Sequence, residues 1–226
     1  MSNARALTQL QAALQYVFVR RALLEQALTH RSYGSPNNER QEFLGDSVLN
    51  CSIAQALYVT FPDLPEGSLS RLRANLVRQE TLADIATHLN VGENLRMGEG
   101  EMKSGGYRRP SILADALESI FGAIYLDGGF DAANTVIQNL FKPLIARIDP
   151  KASGKDAKTE LQELLQARRL PLPEYRIINT VGNAHDQDFI VDCILGSPAI
   201  CTRGQGKSRR AAEQEAARLA CALLQK

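Results

Sequence analysis

Asn38-Glu39-Arg40-Gln41-Glu42-Phe43-Leu44-Gly45-Asp46-Ser47 is the stretch on which the reading of this chain turns. On a helix advancing ~100° per residue, Glu39, Glu42 and Asp46 fall within roughly 60° of one another. Like charges at such spacings each cost a helix about 0.2–0.5 kcal/mol. The flanking Phe43, Leu44, Val48 and Leu49 mark a helix partly buried in a core. An acidic stripe there is either a solvated face or a site that needs a counterion. The segment alone leaves both open.

Ile112-Leu113-Ala114-Asp115-Ala116-Leu117-Glu118-Ser119-Ile120-Phe121 shifts that balance. Asp115 and Glu118 again share one face, and everything around them is small or apolar. Burying ionised carboxylates without partners is very costly. Two acid pairs on two apolar helices are explained if the helices face each other and share a hard cation. Oxygen ligands without histidine or cysteine suit Mg²⁺ or Mn²⁺ rather than Zn²⁺. The alternative is salt bridges to Arg71, Arg73 or Arg108.

Outward from these segments, apolar residues at spacings of three and four predict helices over 7–16, 21–29, 40–61, 68–90, 110–126 and 130–148. Gly98 to Gly106 reads as a polar loop, and Pro110 suits a helix start. Asp149 to Lys155 is rich in Pro, Gly and Ser with no apolar anchor, which describes a flexible linker. Beyond it come a helix over 157–168, strands over 174–181, 188–195 and 197–204, and an alanine-rich helix over 208–224. The expected fold class is therefore an all-α domain over 1–148, a linker over 149–156, and a small α+β (α-β-β-β-α) module over 157–226.

The 226 residues are 44% hydrophobic and 23% charged, ordinary for a globular protein. No apolar run approaches the ~20 residues that span a bilayer, and the N-terminus lacks a signal-peptide pattern. The expectation is a cytoplasmic protein with no membrane segment. Cys51, Cys193, Cys201 and Cys221 are too scattered for a zinc ribbon or disulfide framework, and read as reduced, mostly buried thiols. The net charge of +1 hides a split: residues 1–150 hold 14 Lys/Arg against 16 Asp/Glu, and residues 151–226 hold 12 against 9. A polyanion partner would favour the C-terminal part.

The run from Glu39 to Ser47 resembles the ribonuclease III signature, with Gln41 where that family more often has an aliphatic residue. The resemblance continues in order through Leu28-Thr29-His30-Arg31-Ser32-Tyr33, Gly67 to Val77, Lys103-Ser104-Gly105-Gly106 and Ile112 to Glu118. It implies an endonuclease domain in which Glu42, Asp46, Asp115 and Glu118 are catalytic metal ligands for Mg²⁺, with Mn²⁺ able to substitute. Glu39 and Glu66 match two supporting acidic positions, though Glu66 reads equally well as a loop residue or helix cap. The family cuts both strands of duplex RNA by metal-activated water, leaving 5′-phosphate and 3′-hydroxyl ends with two-nucleotide 3′ overhangs. It also implies a symmetric homodimer, for which Phe43 is either a contact or a core residue. His30 reads as a structural, hydrogen-bonded histidine. Ribosomal RNA precursors are the implied substrates. Gly105-Gly106 lacks the GxxxxGK[ST] spacing, so no nucleotide cofactor is expected.

Lys155 to Gln225 resembles a double-stranded RNA-binding domain. That resemblance assigns Thr159, Gln162 and Glu163, with Gln166 as a secondary candidate, to one minor groove and His185 to the next. Lys207, Ser208, Arg209 and Arg210 match its basic cluster. The chemistry agrees independently: basic residues at a helix N-terminus oppose the dipole, a cost more readily carried where a phosphate is expected. The rival readings are a catalytically silent duplex-RNA binder, expected to have lost carboxylates, and another helical metal phosphohydrolase, expected to carry His-Asp motifs absent here.

Overall fold

The computed structural model describes residues 2–148, 157–181 and 187–224. The expected linker over 149–156 and His185 lie outside the described residues. The chain divides into two compact units, Met1–Ala152 and Ser153–Lys226.

The first unit is helical: α1 (Ser2–Leu14), α2 (Arg21–Ala27), α3 (Glu39–Thr60), α4 (Glu66–Leu76), α5 (Gln79–His88), α6 (Glu99–Lys103) and α7 (Pro110–Ile145). Among the described residues no helix is long and apolar enough to cross a membrane. Its core is the contact of α3 with α7, where Leu49, Ile53 and Leu57 meet Leu117, Ile120, Phe121 and Ile124. Two glycines make this approach close. A Cβ on Gly45 would overlap the Glu118 carbonyl oxygen, and one on Gly122 would overlap the Gln41 carbonyl oxygen. Pro110 occupies the first turn of α7, as its missing N–H favours. The expected division near 126–130 is a kink at Gly129, whose φ of 80° suits glycine.

Two local expectations change. The helix predicted over 68–90 is two helices, because Arg78 is extended (φ −68°, ψ 153°). The apolar pattern pauses only over Arg78-Gln79-Glu80-Thr81, a gap of about one turn that periodicity bridges. The break lets Leu72 and Leu76 on α4, and Leu82, Ala83 and Ala86 on α5, all be buried. The predicted loop over 98–106 contains α6, whose Glu101 accepts an ion pair from Arg109 at 2.8 Å.

Gln41, the departure within the signature, is buried against the first turn of α2. Its Nε2 donates to the Leu23 carbonyl oxygen (3.1 Å), while Oε1 is buried with no hydrogen-bond partner. Leu23 keeps its helical acceptor role without Gln41. Gln41→Leu is therefore expected to raise stability by about 1 kcal/mol, read as a higher Tm; a lower Tm would show that the single bond to Leu23 outweighs the orphaned oxygen.

The second unit contains α8 (Ala157–Ala167), β1 (Glu174–Val181), β2 (Asp188–Leu195), β3 (Ile200–Gly206) and α9 (Arg209–Leu224). The strands form an antiparallel sheet in the order β1-β2-β3, with Tyr175 opposite Cys193 and Cys193 opposite Thr202. β3 starts later than predicted because residues 196–199 form the turn, where Pro198 has no N–H to give the ladder. Alanine at Ala212, Ala216, Ala217 and Ala220, all fully buried, lets α9 lie close on the sheet. Gly204 completes the fit, since a Cβ there would strike the Ala212 carbonyl oxygen. Cys193 and Cys221 are buried, but Cys51 and Cys201 are exposed, because they occupy outward faces of α3 and β3.

Candidate metal centre and nucleic-acid interface

The start of α3 is set by Asn38, a buried residue whose N–H donates to the Thr29 carbonyl oxygen and whose own carbonyl accepts from the Gln41 and Glu42 amides, each at 2.9 Å. Ser119 Oγ lies 3.2 Å from that same carbonyl and 2.8 Å from the Asp115 carbonyl oxygen, which ties α7 to this point. The consequence is a convergence. One carboxylate oxygen each from Glu42, Asp115 and Glu118 lie within 4.8 Å of one another, and all three side chains are half-buried. Among the described residues, neither Lys nor Arg forms an ion pair with them or with Asp46. Arg71 instead donates to Ser68 Oγ, and Arg108 lies over the Tyr107 ring. The salt-bridge alternative is therefore not what these acids adopt.

Their electrostatics record the crowding. Burial, followed by Asp46, Glu42 and Asp115, pushes the Glu118 carboxyl up to about 8. Burial also raises Glu42, with Asp115 and Glu39 adding to it and Arg31 opposing. Asp115 is raised by burial, against His30 and Arg31. Half-buried oxygens that, among the described residues, no Lys or Arg ion-pairs with are a donor set that could hold a divalent metal ion.

Asp46 stands apart: it is exposed, outside the converging group, and accepts a hydrogen bond from Asn50 Nδ2 at 2.8 Å. Glu39, the first residue of α3, is exposed and 3.6 Å from Arg31. Glu66, exposed at the start of α4, accepts from Ser70 Oγ at 2.7 Å. A cleft of about 580 Å³ opens beside Glu42 and Asp115, walled by His30, Arg31, Glu39 and Arg109. His30 Nδ1 is 2.8 Å from Ser32 Oγ, the hydrogen-bonded histidine expected, now also part of the wall. Sequence reasoning missed Arg31, Arg109 and Asn50. Arg31 sat within a quoted motif and Asn50 one turn from Asp46, but nothing local signalled Arg109 folding back on Glu101.

A carboxyl whose folded pKa exceeds its unfolded one keeps a proton that the unfolded chain has lost, so stability falls as pH rises between the two values. For Glu118 that window runs from the ordinary glutamate range to about 8. The metal-free protein is expected to show a Tm that declines across this window, with the Tm gain from added Mg²⁺ largest at its upper end. A metal-free Tm that climbs through the window would contradict the placement of Glu118.

In the second unit, Ser208 caps α9: its Oγ accepts from the Ala211 amide at 3.1 Å. Buried Glu213 joins the helices by accepting from Lys158 Nζ (2.6 Å) and Arg209 Nε (2.8 Å). Lys158 also lies 4.4 Å over the Tyr175 ring, and Lys207 pairs with Asp188 at 3.4 Å. This brings Thr159 and Gln162 of α8 into one groove with Arg209 and Arg210 of α9. Glu163 and Gln166 are exposed on the same helix α8.

A helical unit with an acidic centre is followed by an α-β-β-β-α unit with a basic helix start, and the comparisons with known proteins give each unit its class. The Ribonuclease-III-like family matches residues 20–144, and the double-stranded RNA binding motif matches residues 157–224. Ribonuclease 3 of Thiobacillus denitrificans is 72% identical over 226 residues, covering all of both chains. That of Aromatoleum aromaticum is 58% identical over 223 residues, covering 99% of each. The nuclease domain of ribonuclease III from Campylobacter jejuni superposes with a TM-score of 0.60 at 44% identity, covering 63% of this chain and 97% of that one. A second structure of that domain, described for flexibility in the region involved in dimer formation, gives 0.59 at 45% identity, covering 60% and 95%. This chain belongs to the ribonuclease III family.

Proposed function

We propose that the chain is an endoribonuclease that hydrolyses phosphodiester bonds in double-stranded RNA, with Glu42, Asp46, Asp115 and Glu118 as ligands of Mg²⁺, for which Mn²⁺ can substitute. The observation that carries this is the convergence of three half-buried carboxylates at the α3–α7 contact, none of them ion-paired to Lys or Arg among the described residues. A bound divalent ion lowers the pKa of water and stabilises charge on phosphoryl oxygens. The four carboxylates hold and orient that ion, and Glu39 and Glu66 support the site's acidity. His30 and Arg31 sit beside Asp115, where they moderate its negative charge. The products are 5′-phosphate and 3′-hydroxyl ends with two-nucleotide 3′ overhangs.

Residues 1–148 cut and residues 157–226 hold the duplex, with 149–156 as a linker. Thr159, Gln162, Glu163 and Gln166 face one minor groove and His185 the next, while Lys207, Ser208, Arg209 and Arg210 address phosphates. Recognition of this kind reads duplex shape, 2′-hydroxyls and phosphates rather than sequence. Arg210→Ala is expected to weaken duplex binding similarly on unrelated sequences and to lower the salt slope by about 1; an unchanged slope by fluorescence anisotropy would remove Arg210 from the phosphate contacts.

Two such chains form a homodimer with one site each. Phe43, 79% exposed on α3, supports a contact there rather than a place in the chain's own core. Ribosomal RNA precursors in the cytoplasm are the substrates this reading favours. The test is incubation of the purified protein with long duplex RNA, with and without Mg²⁺. Short duplex products only with Mg²⁺ are expected; binding without cleavage would favour a silent RNA-binding protein.

A further inference from the structure

We propose that Asn50 is a positioning residue of the metal centre, restraining the Asp46 carboxylate through Oδ1 so that its other oxygen stays available as a ligand. The inference rests on the reading of Asp46 as a ligand and concerns what aims it. Glu42, Asp46 and Asn50 follow one another at four-residue intervals along α3, so they form one stripe. The Asn50 amide nitrogen lies 2.8 Å from Asp46 Oδ1 and 3.0 Å from the Asp46 carbonyl oxygen. Both neighbours are acceptors, so the nitrogen and not the oxygen of the carboxamide must face them.

Asp46 needs such a partner more than the other three acids. Glu42, Asp115 and Glu118 are half-buried and confined by the α3–α7 contact, whereas Asp46 is exposed and outside their converging group. An exposed aspartate is free to rotate, and that freedom is lost on binding a metal. A fixed hydrogen bond to Oδ1 removes it beforehand and leaves Oδ2 available. A carboxamide suits the task because it donates without carrying a positive charge that would repel the cation. Outer partners of this sort typically change metal affinity by about 10–100-fold.

The test uses the full chain and Mn²⁺ alone, with free Mn²⁺ followed by electron paramagnetic resonance. Asn50→Leu keeps the side-chain bulk and removes the donor. It is expected to bind Mn²⁺ about 10-fold more weakly or worse, with the metal-free Tm unchanged and duplex cleavage restored by raising Mg²⁺. Asn50→Gln keeps a donor on a longer arm and should lose less. Unaltered Mn²⁺ affinity in Asn50→Leu, or equal losses in the two variants, would overturn the inference. A cleavage defect that saturating Mg²⁺ leaves in place would overturn it too. Asp46→Asn separates the two layers of the argument. If it binds Mn²⁺ as tightly as the unaltered chain, the ligand reading of Asp46 fails. If it binds weakly while Asn50→Leu does not, only the role of Asn50 fails.

Discussion

Glu118→Gln is expected to lower the cleavage rate by about 10³-fold or more while leaving duplex binding within about twofold. The side chain keeps its shape and loses one of the acidic oxygens around which the site is built. A metal contributes several kcal/mol to phosphodiester hydrolysis, and each ~1.4 kcal/mol is a factor of ten in rate. Binding persists because duplex recognition is assigned to residues 157–226. A second consequence follows from the raised Glu118 carboxyl. Ionised Glu118 disfavours the folded state above the ordinary glutamate range, and the effect is complete above about 8. A neutral amide removes that penalty, so metal-free Glu118→Gln should melt at a higher temperature than the unaltered chain at pH 8, with Mg²⁺ adding less. Stability gained where function is lost is the expected signature of an active-site acid. Ordinary Mg²⁺-dependent cleavage by this variant would sink the metal-site assignment.

Gly45→Ala is expected to be the most damaging single methyl group in the first unit. The added carbon would overlap the Glu118 carbonyl oxygen and lie 2.9 Å from the Gly122 amide nitrogen, both backbone atoms that cannot turn aside. The two helices must separate, which loosens the packing of Leu49 and Ile53 against Leu117 and Phe121. It also draws Glu42 away from Asp115 and Glu118. A cost of about 3 kcal/mol, the upper end for overpacking, would lower the Tm by roughly 6–12 °C for a unit of this size. Gly67→Ala is the control: its new carbon would meet only the end of the Arg71 side chain, at 3.7 Å. Circular dichroism melts should separate the two variants clearly. Equal Tm values would show that α3 and α7 have slack the glycine contact denies.

Much of this was legible beforehand where the signal is local. Hydrophobic periodicity located α3, both segments of α7, α8 and α9, because an element that buries one face must repeat its apolar residues at its own period. β1 and β2 matched over 174–181 and 188–195, since alternation and flanking turn residues bound them. The helix over 68–90 failed at Arg78, where the backbone turns within a polar gap of only four residues, 78–81, that apolar periodicity bridges. The opposite fault affected α6, too short for any period to declare itself.

The sequence by itself determined that two apolar helices each carry paired acids, that a basic cluster sits at a helix start, and that a helical unit precedes an α-β-β-β-α unit. These are properties of faces and order, and side-chain pattern encodes faces. Only the tertiary structure decided that Glu42, Asp115 and Glu118 converge while Asp46 stays outside with Asn50, and that Glu213 joins Lys158 to Arg209. Such facts depend on how closely two elements approach and at what rotation. Here that distance is set by Gly45 against Gly122, and by Gly204 beneath the alanines of α9. A glycine works by lacking a side chain, and residue pattern alone does not say which backbone will fill the space it leaves.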